Sequence, residues 1–573
     1  MCGIWSYIDL INNKIDYKQI LTLFNNFYEL NHRGPNISDF KIINNVVLGF
    51  HRLAILDISF NSNQPFFLNK DGNTIIFMCN GEIYNYKDLI SKYDLDIIND
   101  SDCLTIPKLY LKYNNIDDFI SLFNNEIKGE FSFILYEYNK DLELIQMIIG
   151  RDQIGVRPLY CNDITLETKS ILLSSEIKGM KFYNDNVKEF EPGTILNIKF
   201  KNNNIDNIKC YDFKNVYNII ETNESEEFYL EKIRNAVINS IKRRLISDKP
   251  ISFLLSGGVD SSIVAAVSSK LLNENNNITI NTFCCGMSNG TDLKYAKLVA
   301  DFINSNHTEV IFTADEAINT ISDVIYTTET WDTTTIRASV GQYLVSKYIG
   351  TKTDFKVVLV GEGPDEICSS YLFNFYAPNG EELHNKSKEF LQNIHLYDGK
   401  RADRCISKWS LEARIPFLDP EFINVYWSIP SEWRHPKYKG IEKWYLRKAF
   451  EGYLPDEVLW RKKEAFSDAI SSNNESWFHI IQTYVNSLKD LDITLGPTLE
   501  ASYYKKIFID FYENKRLNII PKYWQPPLKW INKDINLHVK SSLNPSLILV
   551  NQDIDLYIDP SARTLDVYPS NRN

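Results

Sequence analysis

The sequence predicts an α/β protein of more than one domain. Three observations lead there. The chain has 573 residues, more than one ordinary domain holds and enough for two to four. From residue 251 onward, short apolar runs of strand length alternate with helix-length stretches, the pattern of a doubly wound parallel sheet. Before residue 203, apolar runs end in turn sequences such as His32-Arg33-Gly34-Pro35 and Asn80-Gly81 and read as strand-then-turn units.

Composition narrows the class. Hydrophobic content of 44% and charged content of 24% are ordinary for a soluble globular protein. A net charge of −12 argues against a nucleic-acid partner or an acidic membrane surface. No run of ~20 apolar residues predicts a membrane span, and the start lacks the basic and apolar regions of a signal peptide. Nine cysteines contain no CxxC pair, so neither a zinc site nor a disulfide framework is expected. Scattered thiols suit a reducing compartment, and a cytoplasmic location is the expectation.

The chain opens Met1-Cys2-Gly3-Ile4-Trp5. If Met1 is removed, Cys2 carries a thiol and a free α-amine, whose pKa of roughly 7.7–8.0 lies near working pH. A thiol beside its own amine is a nucleophile supplied with a base. Residues 49–57 read as a strand presenting Arg52, and 77–85 as a strand followed by a turn. Ser101 or Asp102 also reads as a helix N-cap, and Asn80-Gly81 equally as a hairpin turn.

An acidic, Asn-rich stretch near 203–227 separates the halves. Beyond it the pattern predicts a helix over 226–245, a buried strand over 251–255 and a helix over 263–272. Between the last two lies Ser256-Gly257-Gly258-Val259-Asp260-Ser261-Ser262. A strand, a glycine loop and a helix N-terminus form a phosphate cradle from backbone N–H groups and the helix dipole. No GxxxxGK[ST] occurs, so this is not a P-loop. Strands over 278–285 and 308–312 and a helix over 292–304 continue the alternation, which places ligands at the strand C-termini.

Combined, these pieces resemble known families. Cys2-Gly3-Ile4-Trp5, His32-Arg33-Gly34-Pro35, His51-Arg52-Leu53 and Asn80-Gly81-Glu82-Ile83-Tyr84-Asn85 look like the glutamine amidotransferase domain with an N-terminal cysteine. The runs 150–160 and 174–178, with Pro192-Gly193, fit its continuation. The SGGVDSS string resembles the ATP-pyrophosphatase signature. Trp331 to Ser339, Val357 to Glu366, Arg401-Ala402-Asp403-Arg404, Glu412 to Asp419, Gly440-Ile441-Glu442-Lys443 and Trp460 to Asp468 are similar to segments of glutamine-hydrolysing asparagine synthetases, most closely the eukaryotic type. Tyr523-Trp524 and Asp559 to Leu565 resemble that family's ending, split by an insertion at about 533–558.

The resemblance implies an N-terminal αββα (Ntn-type) sandwich over 2–210. A doubly wound α/β ATP-pyrophosphatase domain with helical C-terminal additions follows over 211–540, then a tail over 541–573. It implies Cys2 as nucleophile, with Asn80 and Gly81 as oxyanion donors, and Arg52, Asn80, Glu82 and Asp102 around the glutamine. Leu255, Ser256, Gly257, Gly258, Asp260, Ser261, Cys285, Val360, Gly361, Asp365 and Lys463 would meet ATP and pyrophosphate. Asp260 and Asp365 would ligate Mg²⁺; Thr334, Thr335 and Arg337 would hold aspartate; Glu362 would be the general base. The implied partners are L-glutamine, L-aspartate and ATP; a homodimer is one assembly compatible with the resemblance, and the sequence does not fix the oligomeric state. An amidotransferase for another carboxylate and a non-catalytic glutamine or nucleotide binder are the alternatives.

Departures from the family pattern bear on rate more than on ligand identity. Val360 and Pro364 stand where that pattern has serines, removing a hydroxyl and an N–H donor from the second phosphate loop. Ser370, Ser410 and Ala469 stand where a smaller residue, often glycine, is expected.

Overall fold

In the strand Asn73–Ile83, Ile76 and Met78 enter one core while Ile75, Phe77 and Cys79 enter another. Gly129–Tyr138 repeats the split, with Ile134 and Tyr136 on one side and Phe131, Phe133 and Leu135 on the other. Successive side chains in a strand point to opposite faces, so a strand apolar on both faces needs a layer on each side. The first core is shared with Ile4 and Ile8 of strand Gly3–Asp9 and with Leu48 and Phe50 of strand Val46–Arg52, so two sheets face one another. The second core is closed by helices Tyr86–Tyr93, Thr105–Lys112 and Ile116–Asn125 through Leu89, Ile106, Leu109 and Phe119. Helix Tyr17–Tyr28 meets the first sheet where Phe27 lies over Gly49; a Cβ at Gly49 would come within 2.4 Å of that ring. The result is the αββα sandwich.

Both sheets have six strands, and their pairings are antiparallel. The first runs Val187–Glu189, Tyr160–Asn162, Ser170–Ser174, Gly3–Asp9, Val46–Arg52, Ile37–Ile43. The second runs Asn204–Asp212, Thr194–Lys201, Leu144–Arg151, Gly129–Tyr138, Asn73–Ile83, Phe66–Lys70. This computed structural model describes residues 1–530 apart from 98–100, 114, 277, 289, 462–469, 472–475, 490, 493 and 528–529. The expected insertion at 533–558 and the tail over 541–573 lie outside the described residues.

The chain divides into two compact units, the first comprising Met1–Asn218, Ile246–Pro250 and Ser407–Glu412. The second is built on a five-stranded sheet ordered Asn306–Ile311, Asn281–Gly286, Ile251–Leu254, Val357–Leu359, Glu412–Arg414. The first four strands pair in parallel, and helices Val259–Asn276, Thr291–Phe302, Ala314–Thr328 and Thr333–Lys352 supply the crossovers. Strand order reverses between Ile251–Leu254 and Val357–Leu359, which makes their C-terminal ends the topological switch point.

The helix after the glycine loop begins at Val259, four residues before the sequence pattern predicts. Asp260 therefore lies in its first turn, where a carboxylate suits the helix dipole. Among the described residues, no helix is long and apolar enough to cross a membrane.

Two candidate active sites

In the first unit, Cys2 lies immediately before strand Gly3–Asp9, half-buried, with its thiol 3.8 Å from the Leu53 carbonyl. Burial pushes that thiol up to about 11, although Arg52 and the chain-terminal amine act against it. The terminal amine here belongs to Met1, so the Cys2 nitrogen is a peptide N–H. The Met1 amine donates to the Leu411 carbonyl at 3.2 Å, and burial depresses its pKa to about 5.

Asn80, Gly81 and Glu82 sit at the end of strand Asn73–Ile83. Asn80 is fully buried, and neither atom of its side-chain amide has a hydrogen-bond partner. Gly81 is required by packing, because a Cβ there would lie 2.2 Å from the Glu130 carbonyl oxygen. The Asp102 carboxylate accepts from the Ile83 N–H at 2.6 Å, tying the turn Asp102–Leu104 to the same strand end. Asn80, Gly81, Glu82 and Asp102 are thus brought together. Arg52 ends the strand Val46–Arg52, but its guanidinium is engaged by the following loop. It donates to the Ser59 carbonyl at 2.7 Å, to Asn63 Oδ1 at 2.6 Å and to the Asp57 carbonyl.

Behind Cys2 stands a group that sequence reasoning did not assign. Arg33 donates from Nε to the Cys2 carbonyl at 2.9 Å and from Nη1 to Glu176 at 2.6 Å. Lys178 and His32 share the same carboxylate. Arg33 and Glu176 are both fully buried, so the pair anchors the Cys2 backbone. The signal was present in His32-Arg33-Gly34-Pro35 and Ser174-Ser175-Glu176-Ile177-Lys178, but spacing alone does not reveal that the two segments meet.

In the second unit a cleft opens at the switch point. Ser256, Gly258, Asp260, Ser261, Gly361, Glu362 and Asp365 line it, and it encloses about 970 Å³ of empty space including its open mouth. The Ser256 N–H donates to Ser261 Oγ at 3.1 Å, and the Gly258 N–H to Ser256 Oγ at 3.3 Å. Gly257 adopts φ +72°, and a Cβ there would lie 2.5 Å from the Ala296 nitrogen. The second loop approaches closely, since a Cβ at Gly361 would be 2.6 Å from the Ser261 nitrogen.

Asp260 and Asp365 converge on one cation, the buried Lys443 ammonium, at 2.5 Å each. Burial works against that charge, but the two carboxylates outweigh it and raise the lysine's pKa. Lys443 received no role from the sequence; it lies far along the chain from both partners and only folding reveals it. Two carboxylates sharing a cation suit a hard divalent ion whose other ligands are phosphates and water. Among the described residues no cluster of three or more His, Cys, Asp or Glu side chains is arranged to hold a metal without such help. Lys463, expected on the pyrophosphate, and Ala469 lie outside the described residues.

Other expected residues stand back from the cleft lining. Leu255 and Cys285 are buried, and the Cys285 thiol donates to the Gly341 carbonyl at 3.2 Å. Val360 is buried, its N–H donating to the Arg414 carbonyl at 3.1 Å. Pro364 occupies the first turn of the short helix Pro364–Ile367, where a missing N–H breaks no helical bond. Thr335 is taken up by Asp332, which caps the helix Thr333–Lys352 through both the Thr335 N–H and hydroxyl at 2.8 Å. Arg337 forms a buried two-pronged pair with Glu500, at 2.8 Å from Nε and 2.5 Å from Nη2. In this arrangement the Arg337 fork already holds a carboxylate. The Thr334 hydroxyl, by contrast, is buried without a hydrogen-bond partner. Ser370 donates to Asp365, and Ser410 adopts φ +57°, the conformation for which glycine is favoured.

Comparison with known proteins agrees with this division. The glutamine amidotransferase domain family matches residues 1–224. The asparagine synthase family matches 232–388 and 377–518. A probable asparagine synthetase [glutamine-hydrolyzing] of Acanthamoeba polyphaga mimivirus is 35% identical over 556 positions, covering 92% of this chain and 97% of the relative. The asparagine synthetase [glutamine-hydrolyzing] of Gallus gallus is 36% identical over 606 positions, and that of Homo sapiens 35% over 607, each covering 100% of this chain and 99% of the relative.

Proposed function

The chain belongs to the family of glutamine-hydrolysing asparagine synthetases, and on that premise we propose how its residues divide the reaction. L-Glutamine, L-aspartate, ATP and water give L-glutamate, L-asparagine, AMP and pyrophosphate. In the first site the Cys2 sulfur attacks the glutamine amide carbon. The Cys2 α-amine, freed by loss of Met1, takes the thiol proton and returns it to the leaving ammonia. The Asn80 amide and Gly81 N–H receive the developing oxyanion. Arg52 is proposed to hold the α-carboxylate in exchange for the loop acceptors it meets in this structure, and Glu82 and Asp102 to hold the α-ammonium. Water then hydrolyses the thioester. The unpartnered Asn80 amide supports this assignment, because a buried donor without an acceptor is held ready for one that arrives with substrate.

In the second site an oxygen of the aspartate β-carboxylate attacks the α-phosphorus of ATP and pyrophosphate leaves. Ser256, Gly257, Gly258 and Ser261 cradle the phosphates, with Gly361 on the opposite loop. Asp260 and Asp365 are the proposed Mg²⁺ ligands, and the ion would neutralise phosphate charge. Lys443 is the resident counter-charge between them, and Lys463 is proposed to add to it. The Thr334 hydroxyl is proposed to meet aspartate, while Thr335 and Arg337 keep that helix start in place. Ammonia attacks β-aspartyl-AMP, Glu362 takes a proton, and AMP leaves. The observation that carries the reading is the convergence of Asp260, Asp365 and Glu362 on one cleft at the strand switch point. All nine cysteines are free, which suits the proposed cytoplasmic setting.

The test is a time course with aspartate, glutamine, ATP and Mg²⁺, scored for all four products. Asparagine, AMP and pyrophosphate should rise in equal amounts and stop when a chelator removes the metal. Pyrophosphate release without asparagine, or preferential amidation of another carboxylate, would contradict the reading.

A further inference from the structure

Arg401 lies on the helix Asp398–Ser407 and lines the nucleotide cleft. Its Nη1 donates to Gln342 Oε1 at 2.8 Å and to Glu362 Oε1 at 3.2 Å. The Gln342 amide nitrogen donates to the same Glu362 oxygen at 3.0 Å. Three side chains thus close a ring of hydrogen bonds, and chemistry fixes its sense. A guanidinium only donates and a carboxylate only accepts, so Gln342 must turn its oxygen to Arg401 and its nitrogen to Glu362. Asp398 Oδ1 holds the other edge of the guanidinium, accepting from Nε at 3.0 Å and Nη2 at 2.8 Å. Helix Thr333–Lys352, the turn after strand Val357–Leu359 and helix Asp398–Ser407 each contribute to the ring.

We propose that Arg401 is a positioning residue for the amidation step, fixing Glu362 through Oε1, with Gln342 as second donor, so that Oε2 takes the proton from the attacking ammonia. The inference rests on the reading of Glu362 as base. In the step itself the ammonia nitrogen bonds to the β-carbonyl carbon, the carbon–oxygen bond to AMP breaks, and one N–H proton passes to Oε2. A base must be both ionised and aimed. Burial raises the Glu362 pKa, and the Arg401 charge opposes that rise. Two donors on one oxygen also stop the carboxylate from turning. Arg401 has a second conceivable role, as the clamp for a substrate carboxylate, and the two roles separate by step.

Arg401→Met, Arg401→Lys and Gln342→Leu are compared in the full chain by two measurements. The first is pyrophosphate released in one turnover from aspartate and ATP without a nitrogen donor. The second is asparagine made with saturating ammonia. Arg401→Met should lower asparagine formation by about tenfold or more while the pyrophosphate burst and the aspartate KM hold. Arg401→Lys should recover part of the loss, because it keeps the charge without the fork. Gln342→Leu should show the same split with a smaller factor, and it decides the matter if the Arg401 variants do not fold. Parallel loss of both measurements, a raised aspartate KM, or unchanged asparagine formation would overturn the proposal. Glu362→Gln is the reference. If it makes asparagine at the normal rate, the base assignment fails and this inference with it. If it blocks asparagine while Arg401→Met does not, this inference alone falls.

Discussion

Asn80 buries both ends of an amide without a partner, a cost of about 1–3 kcal/mol in a folded protein. Asn80→Ala removes that cost and the proposed oxyanion donor together. The protein should hold or gain stability in thermal melts, while glutaminase kcat falls by about 10²–10³. A fall in both would make Asn80 an ordinary structural residue. Cys2 invites a different measurement. Burial holds its thiol neutral, with a pKa of about 11 when Met1 precedes it. The uncleaved chain should therefore react slowly with iodoacetamide at neutral pH and faster as pH rises toward that value. Chains that have lost Met1 should react at lower pH, and mass spectrometry distinguishes the two populations. Identical pH dependence in both would show that the amine does not activate the thiol. Local motifs made these residues legible, since Cys2, Asn80 and the SGGVDSS serines each sit in a short recognisable string. Lys443 and Arg401 also sit in short recognisable strings, but the contacts they make depend on partners from distant segments.

At the scale of elements, the alternation of strands and helices was readable and the ends were not. The helix Val259–Asn276 starts early because Asp260 and its neighbours join the first turn instead of remaining in the loop. The loop after strand Val357–Leu359 shows why a departure from a family pattern needs its fold. The sequence suggests that Val360 deprives the nucleotide of a hydroxyl, but its side chain is buried and stands back from the cleft lining. Val360→Ser should thus cost about 1–3 kcal/mol, by burying an unpaired hydroxyl, and leave kcat/KM for ATP unchanged. An increase in kcat/KM would mean that the hydroxyl reaches the nucleotide after all. The Lys443 bridge joins the first turns of helices Val259–Asn276 and Pro364–Ile367 electrostatically. Lys443→Met leaves two carboxylates facing one another without their cation and should cost about 3–5 kcal/mol. Mg²⁺ with ATP should restore part of the lost Tm, because a ligand that binds only the native state stabilises it. A melt that ignores Mg²⁺ and ATP would contradict the proposed assignment of Asp260 and Asp365 as metal ligands.

At the scale of the molecule, the two units carry separable chemistry, one releasing ammonia from an amide and the other activating a carboxylate with ATP. The αββα layering was legible only through resemblance, because strands apolar on both faces have no clean period in the sequence. The parallel sheet was legible from its own alternation. The link between the two activities is ammonia alone. The direct measurement is asparagine formation by Cys2→Ala, once with glutamine and once with ammonium salt. No synthesis is expected from glutamine, and from ammonia a rate near that of the unaltered protein. Equal loss with both nitrogen donors, or synthesis from glutamine that survives the substitution, would contradict it.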